Sequence, residues 1–176
     1  MLAIIPARAG SKGVPGKNKA LIAGRPLVDY TVTALERARS VSGIILSTDD
    51  QDILALYRDR AGTFALDRPK RLAEDDTTTA DVVAHALDAW QALGRDIPDA
   101  LFVAQPITPL RTAADIDAAF ELFKRSGCES LISACRAEGI RHPSGMYRLK
   151  EGDERATPYL SQPEPTRRQD FETVYQ

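Results

Sequence analysis

The stretch Ile4–Asn18 reads IIPARAGSKGVPGKN. Its opening completes a short apolar run, LAIIPA at 2–7, with the pattern of a buried strand. The rest holds glycines at 10, 13 and 16 together with Arg8, Lys12 and Lys17. A buried strand that breaks into a glycine-rich cationic loop points to an open parallel sheet, because such sheets place ligands beyond the carboxyl ends of their strands. Gly10 and Gly13 permit backbone conformations that aim amide N–H groups inward as a nest. The three cations offset much of a triphosphate's roughly four negative charges. The competing reading is a solvated glycine loop with incidental lysines.

Two familiar phosphate motifs do not describe this loop. A P-loop needs four residues between its glycines and then Gly-Lys-Ser/Thr. Here five residues separate Gly10 from Gly16, and Asn18 stands where the hydroxyl residue belongs. No helix pattern begins at Lys17, since KALIAGRP intervenes with a turn at Gly24. The dinucleotide fingerprint fails because Ser11 replaces its middle glycine.

Outward from the loop, strand and helix patterns alternate. PLVDYTVTALERAR predicts a helix with Pro26 in its first turn. GIILSTDD predicts a strand with a polar end, DQDILALYRDRAG a helix stopped by Gly62, and TFAL a short strand. TTADVVAHALDAWQAL predicts a helix with Val82, Val83, Ala86, Leu87 and Trp90 on one face. DALFVAQP reads as a strand, TAADIDAAFELFKRSG as a helix that exits at glycine, and SLISAC as a last strand. This alternation predicts an α/β domain over 1–136, with a mostly parallel sheet covered on both faces. Residues 137–172 are rich in proline and charge and read as an extended arm, with GMYRLK one strand of a hairpin. Residues 173–176 would start a return strand.

Composition narrows the function. The chain has 176 residues, 43% of them apolar, with a net charge of −2. That balance gives no basic field for nucleic acid. No apolar run is long enough to span a membrane, and residues 1–7 do not form a signal peptide. Cys128 and Cys135 are too few for a disulfide framework and read as reduced core thiols, which suits a cytoplasmic protein.

Further stretches carry a resemblance. Together with IIPARAGSKGVPGKN, the segments ILSTDD (45–50), RPKRLAEDDTTT (68–79) and QPITPLRTAADI (105–116) occur in the order typical of the acylneuraminate cytidylyltransferases, the CMP-sialic acid synthetases. RRQD (167–170) suits the same family. The resemblance implies a three-layer α/β/α fold of the nucleotide-diphospho-sugar transferase type with a projecting dimerisation arm. It implies transfer of CMP from CTP to the anomeric hydroxyl of a nonulosonic acid, with release of pyrophosphate and with Mg²⁺ as cofactor. By the same resemblance Arg8 and Lys12 hold the triphosphate within the loop Ala7, Gly10 and Ser11, with Lys17 near it. Asn18 and Arg68 face the cytidine, and Thr79 approaches the base or ribose. Gln105 meets the sugar acid, and Arg111 orients that loop. In a homodimer, Arg167 and Arg168 reach the neighbour's site.

Bland readings stand beside these. Arg68 reads equally as a surface charge, Gln105 as a strand terminus, and Asp49, Asp50, Asp75 and Asp76 as helix caps. His85 and His142 read as structural. Ala9 replaces a common family glycine. Ile107 replaces a usual threonine, and HPSGMYRL lacks a lysine found in some members, so the sugar acid stays open, with legionaminic and pseudaminic acid as alternatives to sialic acid. The metal ligands are unassigned, and the chain is expected to lack the family's C-terminal part. The rival readings are a Kdo-type nucleotidyltransferase and a non-catalytic nucleotide-binding protein.

Overall fold

A computed structural model describes residues 1–10, 13–135, 147–148 and 157–158. Residues 1–128 form one compact unit and 129–176 another. In chain order the first unit runs β1 (Leu2–Pro6), a 3-10 turn (Lys17–Lys19), β2 (Leu21–Ile22), β3 (Arg25–Pro26), α1 (Leu27–Arg37), β4 (Gly43–Thr48) and α2 (Gln51–Tyr57). It continues with β5 (Thr63–Asp67), a second 3-10 turn (Lys70–Leu72), α3 (Thr79–Ala92), β6 (Leu101–Val103) and α4 (Ala113–Ser126). The second unit contributes β7 (Tyr147–Arg148) and β8 (Thr157–Pro158), an antiparallel pair. Tyr147–Arg148, within GMYRLK, is thus paired as one strand of a hairpin.

The main sheet has the order β5-β4-β1-β6 and is parallel throughout. Every residue of β4 is buried, and Leu2, Ile4 and Ile5 of β1 are fully so. A strand with both sides buried needs layers on both faces. Ala3, Ile5, Ile44 and Leu46 pack against Val28, Val32, Leu35, Ile53, Tyr57 and Ile116 of α1, α2 and α4. Leu2, Ile4 and Ile45 pack on the opposite face against Ala86 and Trp90 of α3. Alternate residues of one strand feed two cores, and each fully buried Leu or Ile contributes about 1.5–3 kcal/mol. The architecture is the expected three-layer α/β/α. Gly43 leaves room for Trp90, whose Cη2 would lie 2.8 Å from a Cβ at position 43.

Local signals explain most boundaries. Thr112 caps α4 in a capping box with Asp115, and Gly127 ends it in the left-handed region at φ 64°. Ala23 and Gly24, at φ 48° and 79°, make the tight turn between β2 and β3. Three expectations change. The helix after β4 ends at Tyr57, and Gly62 terminates a following turn rather than the helix itself. Pro26 is the N-cap of α1, not its first residue, because its ψ of 140° is extended. SLISAC forms no strand: residues 131–135 carry no strand pairing, and Ile132 is 86% exposed. An apolar run needs a neighbouring backbone to pair with, and among the described residues none supplies it. Nor are the cysteines core thiols, since Cys128 is half-buried beside the Ser126 hydroxyl and Cys135 is exposed. Among the described residues no helix is long and apolar enough to cross a membrane.

The end of α1 is held by Asp117 of α4, which accepts from Ser40 N at 2.9 Å, Ser40 Oγ at 2.7 Å and Arg39 N at 3.2 Å. These bonds, those of Ser40 foremost, hold its carboxyl down at about 2, against an ordinary 3.8. A depressed folded pKa gives stability that is present above the unfolded value and lost as pH falls through the folded one. Asp117→Asn should therefore lower the melting temperature at pH 7, and the gap to the parent should close between pH 4 and pH 2. Thermal melts followed by circular dichroism across that range check this; a gap that does not change with pH would contradict it.

Candidate nucleotide-binding site

The carboxyl ends of β1, β5 and β6 border one place on the α3 side of the sheet. A cavity of about 330 Å³ opens there, lined among others by Arg8, Lys17, Asn18, Arg68, Thr79 and Gln105. Six residues from three separate motifs therefore meet at one place. Thr78, Glu74, Asp75, Pro106 and Ile107 complete much of the wall.

The loop after β1 is anchored at several points. Thr48 Oγ1 donates to Ala7 O at 2.6 Å, and Ala7 N donates to Ser47 O at 2.9 Å. Ala9 N donates to Asp49 Oδ1 at 2.7 Å. Asn18, only 7% exposed, donates from Nδ2 to Arg8 O at 2.9 Å. That bond closes the loop on itself and leaves Oδ1 as an acceptor beside the cavity. Gly16, at φ 63°, starts the 3-10 turn that carries Lys17 and Asn18. Ala7 is fully buried and acts through its backbone. Gly10 belongs to the loop but not to the cavity wall, where Gly13 stands instead. Ser11 and Lys12 lie outside the described residues, as do Arg167, Arg168, His142 and most of the arm.

Arg8 is already occupied. Its Nη1 donates to Glu74 O at 3.0 Å and Ala73 O at 3.3 Å, and its Nη2 to Asp75 Oδ1 at 2.8 Å. Both side chains are partly exposed, at 32% and 51%. An incoming polyphosphate would compete with Asp75 for this guanidinium. Asp75→Asn should then tighten metal-free triphosphate binding a few-fold, the scale of a partly exposed ion pair of about 1 kcal/mol or less. Calorimetry with inorganic triphosphate measures it, and weaker binding would instead put Asp75 among the groups that hold the ligand. Lys17 lies in the same wall. Lys19 points away, bonded to Asp52 at 2.6 Å and Asp50 at 3.2 Å, and these partners raise its pKa.

Arg68 is no surface charge: it is 4% exposed. Its Nε donates to Ser47 Oγ at 3.0 Å and its Nη2 to Ser47 O at 2.6 Å. Burial lowers its pKa, opposed by the charge of Asp49. The arginine stays cationic, since its usual pKa lies far above neutrality. Gln105 sits at the end of β6, and its carbonyl accepts from Thr108 Oγ1 at 3.2 Å. Thr108 Oγ1 in turn accepts from Arg111 Nη2, and the Arg111 guanidinium lies over the ring of Phe102, 5.7 Å from its centroid. Arg111 thus braces the Gln105 loop from outside the cavity wall.

The acidic residues divide. Asp50 caps α2, accepting from Asp52 N at 3.0 Å and Ile53 N at 3.4 Å. Asp49 does not cap; it ties down the loop after β1 through Ala9 N. Nor do Asp75 and Asp76 cap α3. Thr78 does, in a capping box with Asp81, because only that pair has the three-residue spacing that lets each side chain reach the other's backbone. Among the described residues no three His, Cys, Asp or Glu side chains cluster to hold a metal ion. His85 on α3 is half-buried, its pKa pushed down by burial and then by the charges of Arg71 and Arg68.

Ser47 is the residue that sequence reasoning passes over. It lies in the quoted ILSTDD, yet no local pattern reveals that it holds an arginine 21 residues away.

The chain is similar to known proteins along most of its length. The cytidylyltransferase family model matches residues 2–126. The CMP-N,N'-diacetyllegionaminic acid synthase of Legionella pneumophila is 34% identical over 133 residues, which cover 76% of this chain and 56% of that protein. The N-acylneuraminate cytidylyltransferase of Escherichia coli is 31% identical over 124 residues, 70% of this chain and 28% of that one. The chain thus spans about half or less of the length of these two curated relatives. Among solved structures, CMP:2-keto-3-deoxy-manno-octonic acid synthetase complexed with CTP superposes with a TM-score of 0.64 at 16% identity, covering 99% of this chain and 70% of that one. That likeness is one of fold. With the family model matched over more than half its length and the motif-bearing loops gathered round one cavity, the chain belongs to the cytidylyltransferase family.

Proposed function

We propose that the cavity binds CTP and that the chain carries the nucleotide-binding part of an enzyme that transfers CMP to the anomeric hydroxyl of a nonulosonic acid. The observation that carries this reading is the convergence of Arg8, Lys17, Asn18, Arg68, Thr79 and Gln105 on one cavity. Cytosine presents a donor beside two acceptors. Asn18 Oδ1 offers an acceptor for the 4-amino group of cytosine and Arg68 a donor for N3 or O2; uracil carries a carbonyl at position 4 and an N–H at position 3, so the preference requires the Asn18 oxygen to face position 4. Arg8, Lys17 and, from the sequence, Lys12 would hold the triphosphate. Reaction follows as in-line attack of the sugar hydroxyl on the α-phosphorus: the new O–P bond forms as the bond to the bridging oxygen breaks, and pyrophosphate leaves. The chain's own cations stabilise charge developing on that leaving group, and the rest is positioning. Mg²⁺ enters the proposal as an ion carried by the nucleotide phosphates, with no residue assigned to it.

Gln105 and Ile107 at one end of the cavity are the proposed contacts to the sugar acid. Relatives are named for legionaminic, acylneuraminic and pseudaminic acids, and any of these is a candidate substrate. The Kdo-type reading is the second, supported by the fold likeness. Pyrophosphate release from CTP with a panel of these acids and Kdo tests both, and no release with any acid would favour a nucleotide-binding role alone. We further propose a homodimer formed through the arm, whose sequence carries Ile140, Met146, Tyr147, Leu149, Tyr159 and Leu160 as apolar residues that need cover. Light scattering at tens of micromolar, roughly the range where ordinary interfaces form, should give twice the mass of the chain; a monomer would count against it.

A further inference from the structure

We infer that Ser47 is a positioning residue that sets nucleobase preference through Arg68. This rests on the cytidine reading above. Ser47 is fully buried in β4, two residues beyond Ile45 and therefore on the α3 face, where the cavity lies. It presents two acceptors to one guanidinium: the hydroxyl to Nε at 3.0 Å and the carbonyl to Nη2 at 2.6 Å. The same carbonyl accepts from Ala7 N at 2.9 Å, so one residue ties the arginine to the start of the phosphate loop.

The arrangement fixes a plane. A guanidinium is flat, and two bonds on one side leave it no rotation about its own axis. Nε and one N–H of Nη2 are engaged by Ser47, so the N–H groups of Nη1 and the second one of Nη2 are left for a ligand, and Arg68 lines the cavity. Arg68 makes no salt bridge to a carboxylate among the described residues; its backbone N donates to Thr48 O at 2.8 Å, which fixes where the side chain begins. A buried cation held only by neutral acceptors retains its charge for an acceptor atom of a ligand. Without the Ser47 hydroxyl the guanidinium keeps one anchor and can pivot. The base-facing donor would then lose its direction, while the triphosphate contacts, which lie on the loop after β1, would not.

The test uses the 176-residue chain, with CTP, UTP and inorganic triphosphate titrated into the parent, Ser47→Ala, Ser47→Thr, Arg68→Ala and the double variant Ser47→Ala/Arg68→Ala. Ser47→Ala should cut the CTP-over-UTP affinity ratio about tenfold, the scale of one hydrogen bond to a charged group. Inorganic triphosphate affinity should stay within about twofold. Ser47→Thr keeps the hydroxyl and should keep most of the preference. In the Arg68→Ala background, Ser47→Ala should change the ratio no further, since residues acting through one another are not additive. If Ser47→Ala proves unfolded, Ser47→Cys, of similar size but a weak acceptor, should show the same loss. An unchanged ratio with a lowered melting temperature would reduce Ser47 to a structural role and overturn the inference, as would an equal further loss in the Arg68→Ala background. A parent that does not distinguish CTP from UTP would instead sink the cytidine reading itself.

Discussion

Alanine at Arg8 or at Lys12 is expected to weaken triphosphate binding by about 1.5–3 kcal/mol each, roughly ten- to 150-fold, because each removes a charge-assisted contact to phosphate. The reason differs between the two. Arg8 stands in the cavity wall and already binds the loop at 73–75. Lys12 is assigned from its place in the glycine loop and lies outside the described residues. Arg8→Ala has a second consequence, since it releases the 73–75 loop. Comparison with Asp75→Asn separates the effects: that variant removes the ion pair but keeps the bonds to Ala73 O and Glu74 O and leaves the cation in place. Arg8→Ala should therefore weaken inorganic triphosphate binding, whereas Asp75→Asn should strengthen it. Calorimetry on both variants reads the signs directly. If Arg8→Ala and Lys12→Ala bind like the parent, the phosphate assignment is wrong. The fold should survive both changes, because Arg8 belongs to neither of the two cores that hold the sheet and Lys12 is a charged residue of the glycine loop.

Truncation of Arg68 or Asn18 is expected to remove most of the preference for cytosine, at a cost of about 1–3 kcal/mol for a buried polar edge left unpaired. Arg68→Ala also leaves two acceptors of Ser47 without their donor, so part of its effect falls on stability. Asn18→Ala likewise loses the bond that closes the loop onto Arg8 O. Affinity alone would mix these effects. The ratio of CTP to UTP affinity does not, because a shared loss of folded protein cancels from it. Arg68→Lys is the useful companion. It keeps a charge but not the planar fork, so it should retain triphosphate affinity and lose discrimination. A ratio that survives all three substitutions would remove both residues from base recognition.

Much of the fold is legible in the sequence because its signals are local. Thr112 and Gly127 mark both ends of α4, and the apolar spacing of Val82, Ala86 and Trp90 marks the face of α3 that packs on the sheet. LAIIPA reads as a buried strand, and the alternation of its side chains between two cores follows from the period of two. The start of α3 is less clear, since DDTTT offers five capping residues in a row. The structure selects Thr78 because Asp81 stands three residues on. SLISAC misleads for a different reason: apolar, β-branched composition describes a surface that fits a sheet but cannot name the strand it pairs with. At the site, the glycine loop and its cations are visible as spacing. The pairings of Arg8 with Asp75, 67 residues apart, and of Arg68 with Ser47 are set by strand order, and no single segment carries them.

The cavity at the ends of β1, β5 and β6 is, on this reading, a cytidine triphosphate site. Titration of the 176-residue chain with CTP, UTP, ATP and GTP at one ionic strength, followed by calorimetry, tests it most directly. The account predicts that CTP binds about tenfold or more tightly than any of the other three, from at least one base-specific hydrogen bond to a charged group. Equal affinities for the four nucleotides would contradict it and leave a generic polyphosphate loop.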